Sequence, residues 1–398
     1  MGKKPALVKG LKAQLEVLLK NLYCGRTMEV FAIELLKGIE SLIGDGSNFE
    51  IGALMVLVLK VVSCSINYSD GVLKEEGLRE VQKKYRLVRC PSIVEYVGYA
   101  CLCCGSHFAG PVFEMKEYLE YTEQKGVWAP SKEKPAPSPY CSTLRALIQA
   151  VICMALYVCL VSRYPLSRFS DPMYYEWGFW RKLFYQYMLG FTARWKYYFV
   201  WSISEASVII SGLGFSGWSN SSPPKPQWDR AKNVDVLGVE LATSSVQIPL
   251  MWNIHVSTWL RHYVYDRLVQ KGKKPGFFQL LATQTISAIW HGLYPGYIIF
   301  FVQTALMIAG SRVIYRWQQA ISPKNEAARK MLTLTNFAYT LVVLNTSCIG
   351  FQVLSMKETL VSYKNVHYIG TIIPIIVIFL EKIIKPVRPV RPKAQKAQ

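Results

Sequence analysis

Charged residues are scarce in this chain of 398 residues: Asp, Glu, Lys and Arg make up 18% of it, whereas 51% of the residues are apolar. Soluble proteins carry about 25% charged residues. The apolar residues lie in long runs that short polar and basic segments separate. Because a helix satisfies its own backbone hydrogen bonds in lipid, such runs predict membrane-spanning helices. The composition therefore disfavours a separate soluble domain and favours one multi-span membrane unit.

Acidic residues are scarcer still, since 26 Asp and Glu stand against 46 Lys and Arg, a net charge of +20. Nucleic-acid binding is one interpretation of such a balance. The basic residues lie instead in the breaks between apolar runs, at residues 83–86 and 271–274, and in the tail from Lys382 to Lys396. This distribution is typical of cytosolic loops beside anionic lipid headgroups. We therefore expect a bilayer and no nucleic acid as the partner.

The chain lacks the features of a small secreted or zinc-binding protein. Its ten cysteines are scattered and form no disulfide framework. Cys101, Cys103, Cys104 and His107 include a C-x-x-C spacing, which leaves a zinc site open. The second ligand pair of a zinc ribbon is lacking, so packing between helices is the more ordinary role for these small residues. We expect no metal site.

Residues 1–50 form an atypical N-terminal segment that has no cleavable signal peptide. Helical periodicity with interspersed charges predicts an amphipathic segment that either lies on a membrane surface or is poorly ordered. Residues 51–384 carry the apolar runs, and residues 385–398 form a basic tail that we expect in the cytosol.

The apolar runs predict an all-α, polytopic membrane protein with roughly eight to ten membrane helices. Polar segments at residues 115–141 and 219–235 predict extramembrane loops. No internal repeat of the transporter type is evident. The runs lie at residues 51–66, 92–113, 144–161, 177–201, 202–218, 246–260, 277–290, 297–308, 332–354 and 369–380.

Two polar residues interrupt apolar runs, and each directly follows a tryptophan: Asn253 after Trp252, and His291 after Trp290. An uncompensated polar group in hydrocarbon costs about 2–7 kcal/mol. Such residues are therefore candidates for function. A lone histidine on an apolar helix is more often a satisfied core residue, and an asparagine often only bonds a neighbouring helix. His255 and His262 also compete for the role of base, and His262 directly follows Arg261 at the expected interface.

The depth of the two residues follows from the basic residues between them. If Arg261 and Lys274 lie at the cytosolic interface, Asn253 lies about 12 Å and His291 about 25 Å from it along helices. Both depths fall within an apolar core that is about 30 Å thick. The two side chains face each other only if a helix is tilted or begins later than the basic loop.

The sequence around both residues resembles the membrane-bound O-acyltransferase family, and in particular its lysophospholipid acyltransferase branch of the plant lysophosphatidylcholine type. The resemblance covers the chain from about residue 50 to its end, and the Trp-His-Gly-x-x-Pro-Gly-Tyr run is its most specific motif. The matching segments are Trp252 to Tyr265, Ser287 to Tyr297, Gly110 to Glu114, Gly190 to Trp195 and Gly214 to Trp218.

This resemblance implies many helices around an intramembrane tunnel, acyl-CoA and a lysophospholipid as substrates, and the endoplasmic reticulum membrane as the location. It implies His291 as catalytic base and Asn253 as its partner. Neutral imidazole suits proton removal from a hydroxyl, and an amide can orient the hydroxyl or the thioester carbonyl. Acyl-CoA is a co-substrate, and no bound cofactor is expected. The expected substrate contacts are Trp252, Trp259, Arg261, Trp290 and Tyr297.

Members of this family usually carry several apolar spans before the region that begins here near Ile51, so the chain is also interpreted as a short form. Three hypotheses follow. The first is acyl transfer to lysophospholipids in phospholipid remodelling. The second is acyl transfer to a protein or a sterol. The third is a truncated form that binds lipid or partners without turnover.

Overall fold

The structure is a computed structural model that describes residues 48–102, 110–131, 136–269, 273, 275–321 and 325–385. Part of what the sequence predicts lies outside these residues. This holds for the N-terminal segment before Asn48, the tail after Lys385, the cluster of Cys103, Cys104 and His107, and the basic residues Lys271 and Lys274.

Regular structure in the described residues is almost entirely helical, which confirms the all-α class. Single turns of 3₁₀-helix lie at Glu75–Gly77, Gly126–Trp128 and Leu166–Ser170, and π-helix lies at Gly98–Leu102 and Arg261–Tyr265. Two strands, β1 (Gly217–Trp218) and β2 (Pro226–Gln227), form one antiparallel pair in register Gly217 to Gln227. The α-helices are α1 Asn48–Val72, α2 Glu80–Tyr85, α3 Ile93–Val97, α4 Met115–Thr122, α5 Tyr140–Val161, α6 Pro172–Glu176, α7 Phe179–Ile210, α8 Val236–Glu240, α9 Ile248–Met251, α10 Ile254–Leu260, α11 Asp266–Leu268, α12 Phe277–His291, α13 Pro295–Ala320, α14 Glu326–Ser347, α15 Ile349–Val353, α16 Met356–Lys364 and α17 Ile369–Ile383.

Four helical segments of the described chain are long and apolar enough to cross a membrane. A fifth is added if α16 and α17, which meet at a bend of 70°, count as one span. In the part of the chain that the structure describes, the remaining predicted runs form shorter or more polar helices. The run at 177–201 and the first residues of the run at 202–218 join in the single helix α7, which ends at Ile210. The four segments are Gly52–Val72, Tyr140–Ser170, Pro295–Ala320 and Glu326–Val353.

The surface of α5 agrees with a lipid environment. Only 17% of its most apolar window is buried. Its exposed side chains include Leu144, Ile148, Val151 and Val158. A continuous apolar surface of this kind is rare on soluble proteins, whereas lipid solvates it without cost.

The chain divides into two compact units, which are described separately. The first holds the described residues up to Met154, together with Tyr197–Val234 and Asn253–Leu268. The second holds Ala155–Lys196, Asp235–Trp252 and the described residues from Val269 onward.

A buried polar network joins α1 to the C-terminal side of α10 in the first unit. The Asn67 amide donates to Glu114 Oε2 at 2.8 Å, and the Tyr263 hydroxyl donates to the same oxygen at 2.8 Å. Arg267 Nη2 lies 2.5 Å from Asp70 Oδ2. Because buried polar groups are costly when unpaired, these bonds fix the helix that follows Asn253 against α1.

Helix α13 is the centre of the second unit and packs against α12, α14, α15 and α17. Glycine permits the closest approach: a Cβ atom on Gly296 would lie 2.1 Å from the carbonyl oxygen of Gly350. A partly buried ion pair joins other helices of this unit. Arg194 Nε of α7 donates to Glu240 Oε1 of α8 at 2.7 Å, and Arg194 Nη1 donates to Asn345 Oδ1 of α14 at 2.7 Å.

Candidate active site

His291 is the last residue of α12, at a sharp break in the chain. Gly292 ends the helix with φ of +128°, a conformation that side chains rarely adopt. Pro295 then opens α13 at its first turn, where a missing N–H is not needed. The sequence His-Gly-Leu-Tyr-Pro-Gly therefore places the imidazole beside an inter-helix turn, as its glycine and proline predict.

Aromatic rings surround the imidazole of His291. The Phe301 ring stacks on it at a centroid distance of 5.0 Å and an interplanar angle of 25°. Trp290 and Phe351 meet it edge to face at 4.7 Å and 5.2 Å. Tyr297 is tilted against it at 5.6 Å. Three helices, α12, α13 and α15, thus contribute to one aromatic enclosure.

No residue in the described part of the chain makes a hydrogen bond to a ring nitrogen of His291. The residue as a whole is half-buried. A histidine whose role is structural usually bonds a carbonyl or a carboxylate through at least one nitrogen. The aromatic enclosure fixes the ring plane without engaging the nitrogens, which leaves them available for proton transfer.

The turn before Tyr297 is held by the residue that directly follows α15. The Gly296 N–H donates to the carbonyl oxygen of Leu354 at 2.8 Å, and Leu354 itself has φ of +61°. This contact sets where α13 begins, and thus where Tyr297 and Phe301 stand beside the imidazole.

Asn253 lies at a break as well, between α9 and α10. The apolar run at residues 246–260 therefore does not form one continuous helix. Asn253 has φ of 47° and ψ of 54°, the left-handed region in which asparagine is among the few tolerated residues. The preceding residue, Trp252, is the C-cap of α9 and has an extended backbone conformation.

The side chain of Asn253 bonds to Asn233, a buried residue of the preceding loop. Asn233 Nδ2 donates to Asn253 Oδ1 at 3.1 Å. The carbonyl oxygen of Asn233 accepts the N–H of Ile254 at 2.9 Å, and its side-chain oxygen accepts the N–H of His255 at 2.9 Å. Three bonds from one residue thus fix the turn that presents Asn253.

The other predicted site residues differ in exposure and in the contacts they make. Trp259 is buried in the first unit, and its indole N–H donates to the carbonyl of Leu59 at 3.2 Å. The side chain of Arg261 is 65% exposed, with its nearest carboxylate 3.9 Å away on Asp266. Trp290 and Tyr297 contact His291 directly.

Among the other described histidines, His255 makes a structural hydrogen bond, whereas the rings of His262 and His367 each lie beside an aromatic ring. His255 Nδ1 lies 2.9 Å from the carbonyl oxygen of Val112, and its ring meets Phe113 edge to face. The exposed ring of His367 stacks on Phe179. Hydrogen bonding thus distinguishes His291 from its competitor His255.

Asn253 belongs to the first unit and His291 to the second, and each site is described within its own unit. Among the described residues, no group of three His, Cys, Asp or Glu side chains is arranged to hold a metal ion.

Sequence reasoning missed Asn233 and Phe351. Asn233 lies in a polar loop with no pattern that separates it from its neighbours, and it reaches Asn253 only because the chain turns there. Phe351 is sixty residues from His291 in the chain and reaches it through the packing of α15 on α13. An aromatic residue in an apolar run gives no signal of such a contact.

Comparison with known proteins identifies the family. Residues 37–354 match the model of MBOAT, the membrane-bound O-acyltransferase family. The chain is 70% identical over 333 residues to lysophospholipid acyltransferase 1 of Arabidopsis thaliana. The aligned region covers 84% of this chain and 72% of that protein. It is equally similar to lysophospholipid acyltransferase 2 of the same plant, with 71% of that protein covered. A lysophospholipid acyltransferase of Schizosaccharomyces pombe is 30% identical over 323 residues, covering 79% of this chain and 63% of that protein.

The chain therefore belongs to the membrane-bound O-acyltransferase family. The family predicted from the Trp-His-Gly and Trp-Asn motifs is confirmed.

Proposed function

We propose that this protein transfers a fatty acyl group from acyl-CoA to the free hydroxyl of a lysophospholipid such as lysophosphatidylcholine, in the membrane of the endoplasmic reticulum. His291 is the general base and Asn253 assists it. The names of two relatives at 70% identity support the lysophospholipid as the acceptor. The apolar helices support a membrane location, where lysophospholipids are found.

The surroundings of His291 carry the proposal. An imidazole held by four aromatic rings, with no hydrogen bond to its nitrogens in the described residues, suits a base better than a structural residue. The rings also exclude water, which would otherwise compete with the lysophospholipid hydroxyl for the acyl group.

The reaction proceeds by addition and elimination at the thioester carbonyl. A ring nitrogen of His291 takes the proton of the hydroxyl, and the hydroxyl oxygen forms a bond to the carbonyl carbon. The resulting oxyanion collapses, the carbon–sulfur bond breaks, and the proton passes from the imidazolium to the departing thiolate of coenzyme A. A positioned base contributes a factor of about 10²–10⁴ to such a rate.

The predicted substrate contacts divide by chemistry. Trp290 and Tyr297 offer aromatic surface beside the reacting carbon. Arg261 is exposed and suits the phosphates of coenzyme A. Trp252 and Trp259 are proposed to shape the substrate path around Asn253, with Trp259 acting from within the packed first unit.

Acyl transfer by the protein in lipid nanodiscs tests this proposal. Labelled oleoyl-CoA is supplied with lysophosphatidylcholine, lysophosphatidylethanolamine, a sterol or an acceptor peptide, and the products are identified by mass. The expected result is phospholipid product with the wild type and none with His291→Ala. The matched control is His367→Ala, which removes an exposed histidine of the same unit and leaves product formation intact.

Labelled sterol or peptide in place of phospholipid would assign the acceptor to another class. Phospholipid formed at the wild-type rate by His291→Ala would refute the role of the base.

A further inference from the structure

We infer that Asn233 is a positioning residue that fixes the side-chain amide of Asn253, so that the NH₂ group of Asn253 is its free end and acts as a hydrogen-bond donor to the thioester oxygen. The inference rests on the proposed function and deepens it. The motif at Asn253 leaves open whether its amide orients the hydroxyl or the carbonyl. The bonds of Asn233 decide between these roles.

The backbone fixes the orientation of the Asn233 amide. Its oxygen lies 2.9 Å from the backbone N–H of His255. A backbone N–H only donates, and an amide NH₂ does not accept. The atom of Asn233 that faces His255 is therefore its oxygen, and its NH₂ group points the other way.

The orientation of Asn233 in turn determines that of the Asn253 amide. The NH₂ group of Asn233 lies 3.1 Å from the side chain of Asn253. Because this group donates, the atom of Asn253 that meets it is the oxygen Oδ1. The NH₂ group of Asn253 is then at the opposite end of its amide. The backbone N–H of His255 thus orients the amide of Asn233, and this amide determines which end of the Asn253 amide is free.

The surroundings hold the amide of Asn233 in place, and the bond from Asn233 holds that of Asn253. Asn233 is 1% exposed, and its main-chain oxygen also holds the N–H of Ile254 at 2.9 Å. Gly110 packs beside its amide, where a Cβ atom would lie 3.5 Å from Nδ2. Asn253 is only partly buried, and its NH₂ group makes no hydrogen bond to any residue that the structure describes.

A free donor suits one of the two reacting groups. The thioester oxygen gains negative charge as the bond forms, and a donor that is already oriented stabilises that charge. A donor to the attacking hydroxyl would instead draw on the lone pair that must attack the carbon. The orientation of Asn253 therefore favours the carbonyl as its target, with proton removal left to His291.

Isosteric substitutions test the inference in nanodiscs with oleoyl-CoA and lysophosphatidylcholine. Asn253→Asp keeps an oxygen for Asn233 and loses the donor, so kcat is expected to fall by about 10²–10³. Asn233→Asp keeps an acceptor for His255 and turns the Asn253 amide inward, so kcat is expected to fall by at least about tenfold with the KM for oleoyl-CoA little changed.

The pH profile separates positioning from a loss of folding. A protonated aspartic acid can donate, so the kcat of either variant, divided by the wild-type kcat at the same pH, is expected to rise as pH falls from about 8.5 to 6. Asn253→Ala has no such group, and its ratio stays flat. The control is Asn336→Asp, at another buried asparagine, which is bonded to Ser311. Per folded protein, it keeps the wild-type kcat at every pH.

The outcomes distinguish this inference from the proposed function. If His291→Ala is inactive but Asn253→Asp or Asn233→Asp keeps the wild-type kcat, the inference is overturned and the base assignment stands. A kcat ratio that does not change with pH in both aspartate variants also overturns it. If Asn233→Asp yields no folded protein in size-exclusion chromatography, Asn233→Ala replaces it. A wild-type kcat in Asn233→Ala contradicts the positioning role, and a low kcat that falls no further when Asn253→Ala is added supports it.

Discussion

Substituting Gly296 with alanine tests whether the packing of α13 on α15 determines the surroundings of His291. The hydrogen of Gly296 that a methyl group would replace points at backbone. An alanine Cβ would lie 2.1 Å from the carbonyl oxygen of Gly350, 2.8 Å from the Cα atom of Leu354 and 3.0 Å from its carbonyl carbon. None of these atoms can turn aside as a flexible side chain would.

The expected magnitude follows from this geometry. Introducing one carbon into a packed core costs about 1–3 kcal/mol of folding free energy. The clash is with main-chain atoms at well under van der Waals distance, so we expect a value at the upper end of that range. Relief requires α13 and α15 to separate, which moves Tyr297, Phe301 and Phe351 relative to His291. A shift of about 1 Å in reacting geometry can cost about 10²-fold in rate.

The assay pairs the melting temperature of the detergent-solubilised protein with kcat in nanodiscs. Gly178→Ala is the matched control, because a Cβ atom on Gly178 meets nothing within 4 Å in the same unit. Gly296→Ala is expected to lower both quantities, and Gly178→Ala to leave both unchanged. Equal melting temperatures and equal kcat values for the two variants would refute the argument that this contact determines the site.

Two further predictions concern charged groups outside the candidate site. Arg194 and Glu240 are partly buried, with side chains 11% and 15% exposed, and Glu240→Gln removes the carboxylate that faces the guanidinium. This substitution is expected to cost about 1–3 kcal/mol and to lower the melting temperature more than Arg194→Lys does. Burial raises the pKa of the Glu114 carboxyl group from 4.5 to about 7, so the folded protein favours the protonated form. The contribution of this group to folding stability is full below pH 4.5 and is lost as the pH rises through 7. The shift corresponds to about 3 kcal/mol. The melting temperature of the wild type is thus expected to fall, relative to Glu114→Gln, as the pH rises from 4.5 to about 7. A difference that stays constant over this range would show that Glu114 does not titrate in the folded protein.

Much of the second unit follows from local sequence. The apolar runs at residues 277–290 and 297–308 predict the two helices α12 and α13, and the structure places their ends at His291 and Pro295. Gly292 and Pro295 supply the break, because one permits positive φ and the other starts a helix without an N–H. Here local propensity and the fold agree, so the position of His291 at a helix end could be predicted.

Local sequence does not predict the structure around Asn253. An apolar run at residues 246–260 predicts one helix, yet the chain breaks at Asn253 in the left-handed region. The break is maintained by the bonds to Asn233, twenty residues earlier, and a hydropathy pattern carries no information on such a contact. The charge of Arg261 predicts its exposure correctly, whereas nothing local predicts that Trp259 bonds to Leu59.

The distance of His291 from the interface also depends on where its helix begins, which the sequence alone does not give. Counting helical residues from Lys274 places His291 about 25 Å from the interface. The helix begins only at Phe277, so the helical part of that distance is about 21 Å. The aromatic enclosure adds Phe351, which no count along the chain would place there.

The most direct test of the catalytic assignment is a single-turnover measurement of acyl transfer from oleoyl-CoA to lysophosphatidylcholine by the wild type and His291→Ala, together with oleoyl-CoA binding to each. A base that acts only in the reaction is expected to leave the Kd for oleoyl-CoA nearly unchanged while the transfer rate falls by at least about 10². A variant that binds oleoyl-CoA as tightly as the wild type and transfers the acyl group equally fast would contradict the account.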